Sequence, residues 1–217
     1  TIPSVTNPTR VGYNFLGWTE TKDSTTATRY QAGATFNNLT ASKTLYALWQ
    51  AAQVTFTFQP GAADATIKSG VSPNPYTMTA NYGSNLNVPA GSTIYQRTGF
   101  NFDKWSYTNA SNAAATVASG NTPVANFKIS WSGSSADGTL KGTATLTGTW
   151  AAFTYTISWN ANGGSPNTST PNAQPETALT LPSNPTRAGY TFKKWNTAAN
   201  GSGTDVAGGA KVKDVFN

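Results

Sequence analysis

Two stretches of the chain alternate strictly between large apolar and small polar residues. Residues 54–58 alternate Val, Phe and Phe with threonine, and residues 155–159 alternate Tyr, Ile and Trp with Thr and Ser. A period of two places the large side chains on one face of a strand. Threonine and aromatic residues suit a half-buried pleated surface of this kind. The pattern therefore predicts two equivalent β-strands, one in the middle of the chain and one in its last third.

A nine-residue motif, Arg-x-Gly-aromatic-x-Phe-x-x-Trp, occurs three times along the chain. Its shared positions are Arg10, Gly12, Tyr13, Phe15 and Trp18 in the first copy, Arg97, Gly99, Phe100, Phe102 and Trp105 in the second, and Arg187, Gly189, Tyr190, Phe192 and Trp195 in the third. Within the motif, the tryptophan follows the phenylalanine by three residues, which breaks strict alternation. We therefore expect a bulge or turn at this point. Self-similarity of this kind indicates a chain built from repeats.

Each repeat is predicted to end in a closing strand. Residues 45–49 have the sequence Leu-Tyr-Ala-Leu-Trp, and residues 146–150 have the matching sequence Leu-Thr-Gly-Thr-Trp. The order within one repeat is an alternating opening strand, a region rich in Pro, Asn and Gly, the motif and the closing strand. By this order, residues 53–150 form one complete copy, residues 1–50 form the second half of a copy, and residues 154–217 form the first half. The sequence therefore predicts three small β modules with these bounds.

The central copy is longer than its neighbours. Its extra length falls in residues 60–80 and 106–121, which are rich in Ala, Ser, Asn and Gly and are predicted to be surface loops. Helical periodicity is weak throughout the chain. Residues 112–118 and 176–181 are the best helix candidates, and both are short. We therefore expect a mainly β protein with little helix.

Composition excludes several kinds of chemistry. The chain has no His and no Cys, 14 Lys and Arg, 8 Asp and Glu, and a net charge of +6. Catalysis by Ser-His-Asp or Cys-His groups and zinc sites of imidazole or thiolate ligands are therefore excluded. The basic residues do not form the stripe that nucleic-acid binding needs, and no apolar run reaches the length of about 20 residues that a membrane helix needs. We expect no enzyme activity, no cofactor, no metal site, no nucleic-acid partner and no membrane span.

The motifs together resemble the internalin-type B-repeat, also called the Listeria–Bacteroides repeat, of bacterial surface proteins. The segments that carry the resemblance are residues 43–49, 158–164 and 184–195. The resemblance is close over residues 7–49 and 155–206 and weaker over residues 54–150. It implies tandem, β-grasp-like modules in an elongated array outside a bacterial cell, and the family has no catalytic residues to transfer. The central copy departs from the pattern through its two insertions and through Phe100 in place of Tyr.

The motif side chains admit two interpretations. The aromatic residues either form the cores of three related sheets or provide a platform on which sugars stack. The arginines either stack on neighbouring aromatic rings or bind a carboxylate or phosphate. Alternate strand positions are usually buried, so we favour the core and stacking interpretations. Trp131 lies outside the motif and is the candidate contact for a ligand.

These observations predict a structural or adhesive segment of a bacterial surface protein, such as a stalk or spacer, whose partners are other copies of itself or neighbouring repeats. Because the chain starts at Thr1 without a signal peptide, we interpret it as a mature product or a piece of a longer protein. Two alternatives remain open. Each half copy leaves a sheet edge unpaired, so strand complementation between chains could form a head-to-tail filament. The chain could also be a carbohydrate-binding module that contacts host or cell-wall glycans through Trp131.

Overall fold

The computed structural model describes residues 1–2, 6–24, 27–37 and 39–216. This part of the chain is mainly β, with one short α-helix, as the sequence predicted. The contacts between residues divide the chain into two compact units. Unit 1 comprises Thr1–Gln59, Ser69–Gly91 and Lys104–Gly148, and unit 2 comprises Pro60–Lys68, Ser92–Asp103 and Thr149–Asn217. The predicted module bounds and the β-grasp arrangement stay predictions.

The described residues contain sixteen strands and the helix α1 (Val212–Val215). The strands are β1 (Tyr13–Thr19), β2 (Tyr46–Ala51), β3 (Gln53–Gln59), β4 (Thr66–Ile67), β5 (Tyr76–Asn81), β6 (Asn85–Val88), β7 (Tyr95–Gln96), β8 (Phe100–Thr108), β9 (Ala114–Val117), β10 (Gly120–Pro123), β11 (Ser130–Ser132), β12 (Lys141–Ala152), β13 (Tyr155–Trp159), β14 (Thr168–Ala173), β15 (Trp195–Asn196) and β16 (Asp205–Val206). Two 3₁₀ turns span Gly91–Thr93 and Val124–Asn126.

The largest sheet contains the opening and closing strands of the central copy. Its strand order is β5-β3-β12-β8-β9, with β11 paired to β12. The opening strand β3 pairs antiparallel with β5 and parallel with the closing strand β12. Val54, Phe56, Phe58 and Leu146 are fully buried, as expected from the alternation of large and small residues. These side chains form the core of unit 1 with Trp105, whose ring lies 5.0 Å from that of Phe58.

The first copy contributes a separate two-stranded sheet to unit 1. Its motif strand β1 pairs antiparallel with its closing strand β2. The register shifts between Phe15 and Gly17, at the place where the motif breaks the alternation. The expected bulge is therefore confirmed in this copy, and Gly17 occupies it at a φ of 126°.

Unit 2 has its own core around the third copy. The opening strand β13 pairs antiparallel with β14, and β15 pairs with β16. The buried members of this core are Ile157, Trp159, Ala173, Leu179, Trp195, Val206 and Val212. The apolar positions of β13 therefore serve the same purpose in the third copy as those of β3 serve in the central copy.

Two local predictions are wrong. Residues 60–80 and 106–121 are not simply loops, because β4, most of β5 and all of β9 lie within them and β10 begins at Gly120. The helix candidates are not helical: β9 occupies residues 114–117, and residues 176–181 pair through backbone hydrogen bonds with residues 210–212. In both places, pairing with a distant segment determines the conformation. Weak local propensity in Ala- and Ser-rich sequence does not reveal such pairing.

Candidate functional site

Each motif arginine lies over the aromatic ring that follows it by three residues. The guanidinium carbon is 3.8 Å from the ring centroid of Tyr13 in the first copy, 3.6 Å from that of Phe100 in the second, and 4.1 Å from that of Tyr190 in the third. At this range, the cation is attracted to the negative face of the ring. The geometry is the one that the stacking interpretation predicts.

A tight turn brings each arginine back over its ring. The backbone N–H of the aromatic residue donates to the arginine carbonyl oxygen at 3.0, 3.2 and 3.1 Å in the three copies. The glycine within the turn has φ values of 75°, 81° and 76°, in the left-handed region that favours glycine. The Arg-x-Gly-aromatic spacing therefore encodes one turn that is used three times.

The motif glycine is also the place where the following copy approaches. A Cβ on Gly12 would lie 2.1 Å from the ring of Tyr82, and a Cβ on Gly99 would lie 2.6 Å from Pro175. Tyr82 and Pro175 occupy matching positions just after β5 and β14, the second strands of their copies. A Cβ on Gly189, by contrast, would have no neighbour within 4 Å among the described atoms.

The motif phenylalanine packs edge-on against tryptophan in every copy. Phe15 is buried and contacts Trp18 and the closing-strand Trp49 with ring centroids 5.5 and 5.6 Å apart. Phe102 is half-buried and contacts the closing-strand tryptophan, Trp150, at 5.4 Å. Phe192 is half-buried and contacts Trp195 at 5.3 Å. The rings thus contact one another, as core side chains do, in each copy.

The motif tryptophans differ in their polar contacts. Trp105 is fully buried, and its Nε1 donates to the carbonyl oxygen of Pro89 at 2.8 Å. The Nε1 atoms of Trp18 and Trp195 are buried without a hydrogen-bond partner in the described part of the chain. An unpaired buried donor is costly. The motif tryptophans of the first and third copies therefore each leave a buried donor unsatisfied, whereas the donor of Trp105 in the central copy is satisfied.

The third motif is the most open of the three. Tyr190 is 67% exposed, whereas Tyr13 and Phe100 are half-buried. Residues 191–194 are not in a strand, and among the described residues no closing strand lies beside them. A cavity of about 360 Å³ is lined by Arg187, Tyr190 and Phe192, among other residues.

Arg97 lies at the centre of a cluster of five charged side chains in unit 2. Its Nε donates to Asp64 at 2.7 Å, and its Nη2 lies 3.5 Å from Glu176. Lys213 donates to Asp64 at 2.7 Å and to Glu176 at 2.8 Å, and Lys211 also pairs with Glu176. Arg97 and Lys213 have only 16% of their side-chain surface exposed. This cluster is not predictable from the sequence, because its members are far apart in the chain and follow no spacing rule.

The cluster shifts the pKa of its members in the directions that ion pairing requires. The ammonium of Lys213, and then Arg97, lowers the pKa of Asp64, and Lys211 and Lys213 lower that of Glu176. Asp64, and then Glu176, raises the pKa of Lys213. The arrangement is therefore a network of ion pairs.

A buried amide connects the first copy to the central copy within unit 1. Asn14, in the motif strand β1, is 8% exposed. Its Nδ2 donates to the carbonyl oxygen of Leu140 at 3.1 Å, and its Oδ1 accepts from the N–H of Leu140 at 2.7 Å. Both polar ends of this buried amide are therefore satisfied by one backbone residue.

Trp131, the candidate ligand contact, is half-buried in β11. Its ring packs against that of Tyr82 with centroids 5.5 Å apart. Part of its surface is therefore used in internal packing, which a sugar-stacking tryptophan would need to keep free.

Among the described residues, no group of three or more acidic residues is placed to hold a metal ion. None of their helices is long and apolar enough to cross a membrane.

The fold and the motif geometry define a class of protein: a β-rich repeat protein in which aromatic and arginine side chains of the motif pack within each copy. The profile of the Listeria-Bacteroides repeat domain matches residues 1–48 and 155–215, which together make up half of the chain. The chain therefore belongs to this repeat family, as the motifs indicated. The matched segments are the first and third copies, and the expanded central copy lies between them.

One curated relative is much longer than this chain. A Gly-rich membrane protein of Evansella cellulosilytica is 30% identical over 196 residues, which cover 87% of this chain and 20% of that protein. The chain thus spans about a fifth of the length of this relative. No solved structure matches the chain.

Proposed function

We propose that the chain is a non-catalytic structural or adhesive segment, a stalk or spacer, of a repeat protein outside a bacterial cell. The observation that carries the proposal is that the motif side chains pack against other side chains of the same copy. In each of the three copies, the arginine covers its own aromatic ring and the phenylalanine packs against a tryptophan. Side chains engaged in this way stabilise a module.

The family and the relative support the extracellular part of the proposal. The Listeria-Bacteroides repeat is typical of surface proteins and is generally non-catalytic, and the relative is named as a membrane protein. Only 10% of the residues are charged. A chain rich in Thr, Asn and Gly exposes a polar surface with few charges, which suits a segment that separates other parts of a protein.

Surface labelling of intact bacteria tests the location. Antibodies raised against the 217-residue chain are applied to cells that express the natural parent protein, before and after permeabilisation. We expect full labelling of intact cells, and loss of the signal after brief treatment of those cells with an external protease. Labelling that appears only after permeabilisation contradicts the proposal. A strain in which the parent gene is deleted provides the control.

Glycan binding through Trp131 stays a prediction. The packing of Trp131 on Tyr82 does not favour it, and we retain the structural role as the function that the geometry supports best.

A further inference from the structure

Two junctions inside the chain connect one motif copy to the copy that follows it. Junction 1 comprises Gly12, Tyr13, Ala52, Tyr82 and Gly83, and junction 2 comprises the matching residues Gly99, Phe100, Phe153, Pro175 and Glu176. Junction 1 lies wholly within unit 1, and junction 2 lies wholly within unit 2. In each, the turn that carries the motif glycine packs against the turn that follows the second strand of the next copy. The motif turn is therefore also a contact surface between copies.

Backbone hydrogen bonds show that the two junctions match. In both, the residue directly after the closing strand donates its N–H to the carbonyl oxygen of the motif glycine at 2.9 Å. The opposing turns, residues 81–84 and 174–177, are each closed by a hydrogen bond between their last and first residues, at 3.1 and 3.0 Å. The pairing of β5 with β3 and of β14 with β13 gives the same register. Gly83 is therefore the counterpart of Glu176.

Junction 1 places the hydroxyl group of Tyr13 directly against Gly83. A Cβ on Gly83 would lie 2.8 Å from this hydroxyl oxygen. The ring of Tyr13 has little room to move, because Arg10 covers one face at 3.8 Å and Tyr82 packs edge-on at 5.8 Å. A side chain at residue 83 would therefore overpack this contact.

Junction 2 has the opposite combination of residues. Its motif aromatic is Phe100, which has no hydroxyl group, and the counterpart of Gly83 is Glu176. The carboxylate of Glu176 lies 3.5 Å from Arg97, the arginine that covers Phe100. A glycine at residue 176 could not form this ion pair. The Phe in place of Tyr and the side chain at residue 176 are therefore matched changes on two different copies.

We propose that the motif turn is the surface by which each repeat docks on the repeat that follows it, and that the motif aromatic selects this follower. A repeat with tyrosine accepts a follower with glycine at the position of Gly83, and a repeat with phenylalanine accepts a follower with a side chain there. This inference rests on the proposed role as a structural repeat segment and names a partner for it, the next repeat of the same protein. Steric exclusion and one ion pair supply the specificity.

A double-mutant cycle in junction 1 tests this selection. Gly83 has a φ of 84°, so Gly83→Ala adds backbone strain as well as the contact with the tyrosine hydroxyl. Tyr13→Phe removes the hydroxyl and leaves the strain. We expect Gly83→Ala to raise the unfolding equilibrium constant of unit 1 about tenfold more in the natural chain than in the Tyr13→Phe chain. Hydrogen exchange of β1 and β3 at increasing urea concentrations measures this constant.

Gly33→Ala is the matched control for the cycle. Gly33 belongs to the same unit, has a φ of 83°, and has no described atom within 4 Å of its would-be Cβ. Gly33→Ala should therefore raise the unfolding equilibrium constant by the same factor in both backgrounds. An effect of Gly83→Ala that is also equal in the two backgrounds would overturn the proposal.

The reverse change in junction 2 gives an independent test. Phe100→Tyr should raise the unfolding equilibrium constant of unit 2 several-fold, because the added hydroxyl meets the side chain of Glu176. In a Glu176→Gly chain, the same change should have little effect. Hydrogen exchange of β13 and β14 measures both constants. Stabilisation by Phe100→Tyr, or an equal loss in the two chains, contradicts the selection.

Two tyrosines at opposite ends of β5 test the docking itself. Both are half-buried, but Tyr82 packs against Tyr13 of the first copy, whereas Tyr76 packs against Phe58 of the central copy. Tyr82→Ala should accelerate hydrogen exchange in β1 and β2 several-fold, and Tyr76→Ala should not. Equal exchange rates of β1 and β2 in the two variants would show that the motif turn does not couple the copies. Such a chain could still label intact cells, so the proposed function would stand.

Discussion

Gly12 meets two separate steric demands. Its φ of 75° lies in the left-handed region, where a side chain adds strain, and a Cβ there would lie 2.1 Å from the ring of Tyr82. Both demands therefore arise at this one residue. Gly33 meets only the first demand, because its φ is 83° and nothing lies within 4 Å of its would-be Cβ.

Gly12→Ala and Gly33→Ala separate these demands, because both residues belong to unit 1. Gly33→Ala should lower the free energy of unfolding by about 1–2 kcal/mol through backbone strain alone. Gly12→Ala should lower it by about 2–5 kcal/mol, because the clash with Tyr82 adds an overpacking cost of about 1–3 kcal/mol. Urea denaturation of the two variants measures the difference. If the two variants lose the same free energy of unfolding, then Tyr82 moves aside freely and its close contact with Gly12 does not affect stability.

The position after the motif aromatic shows the limit of what a repeated sequence predicts. Asn14 is buried and satisfied by the backbone of Leu140, whereas its counterparts Asn101 and Thr191 are exposed. The local sequences are alike, so nothing near Asn14 indicates that it is buried. Its environment is determined by residues 126 positions away, which the folded chain brings beside β1.

At the scale of elements, the sequence predicted the strands that bury one face and missed those that depend on a partner. β3, β13 and the closing strands carry large residues at alternate positions, and that pattern is visible without a structure. β4 and β9 are short and contain few large side chains, so they are recognisable only through the strands they pair with. The charged cluster could not be predicted from the sequence either, because loops and α1 bring its members together.

The charged cluster predicts a defined dependence of stability on pH. The pKa values of Asp64 and Glu176 are lowered below their usual 3.8 and 4.5, so their contribution is complete above those values and is lost as the pH falls through the lowered ones. The pKa of Lys213 is raised above 10.5, so its contribution is complete below 10.5 and is lost as the pH rises through the raised value. The cluster therefore stabilises unit 2 from about pH 5 to about pH 10.

Lys213→Met should lower the unfolding temperature at pH 7, because it leaves Asp64 and Glu176 with fewer cations. The difference from the natural chain should shrink as the pH falls through the lowered pKa values of the two carboxyl groups, and also in 1 M salt, where ion pairs are screened. Lys193→Met, a change to an exposed lysine outside the cluster, provides the matched control and should have little effect. Thermal denaturation followed by circular dichroism measures these differences. A loss that is the same at pH 7 and pH 2 would mean that Lys213 acts through packing and not through its charge.

At the scale of the whole molecule, each of the two compact units combines residues from more than one repeat copy. Unit 1 combines the first half copy with most of the central sheet, and unit 2 combines the third half copy with Pro60–Lys68 and Ser92–Asp103 of the central copy. The repeat alignment predicts where each copy begins and ends in sequence. It carries no information on which copies bury surface against one another, because the motifs are shared while the packed residues around them, such as Tyr82 and Pro175, are not.

Each unit has its own core, so each should respond separately to a local loss of packing. Leu179 is 5% exposed in unit 2, and Leu179→Ala should cost about 2–5 kcal/mol there. Hydrogen exchange followed by mass spectrometry should then be faster in residues 155–216 and unchanged in β3 and β5. Leu86→Ala, in unit 1, should produce the reverse pattern. Equal acceleration throughout the chain in both variants would show that the units unfold together. Separate responses would suit the proposed role as a spacer, since one unit could then open under load while the other keeps its fold.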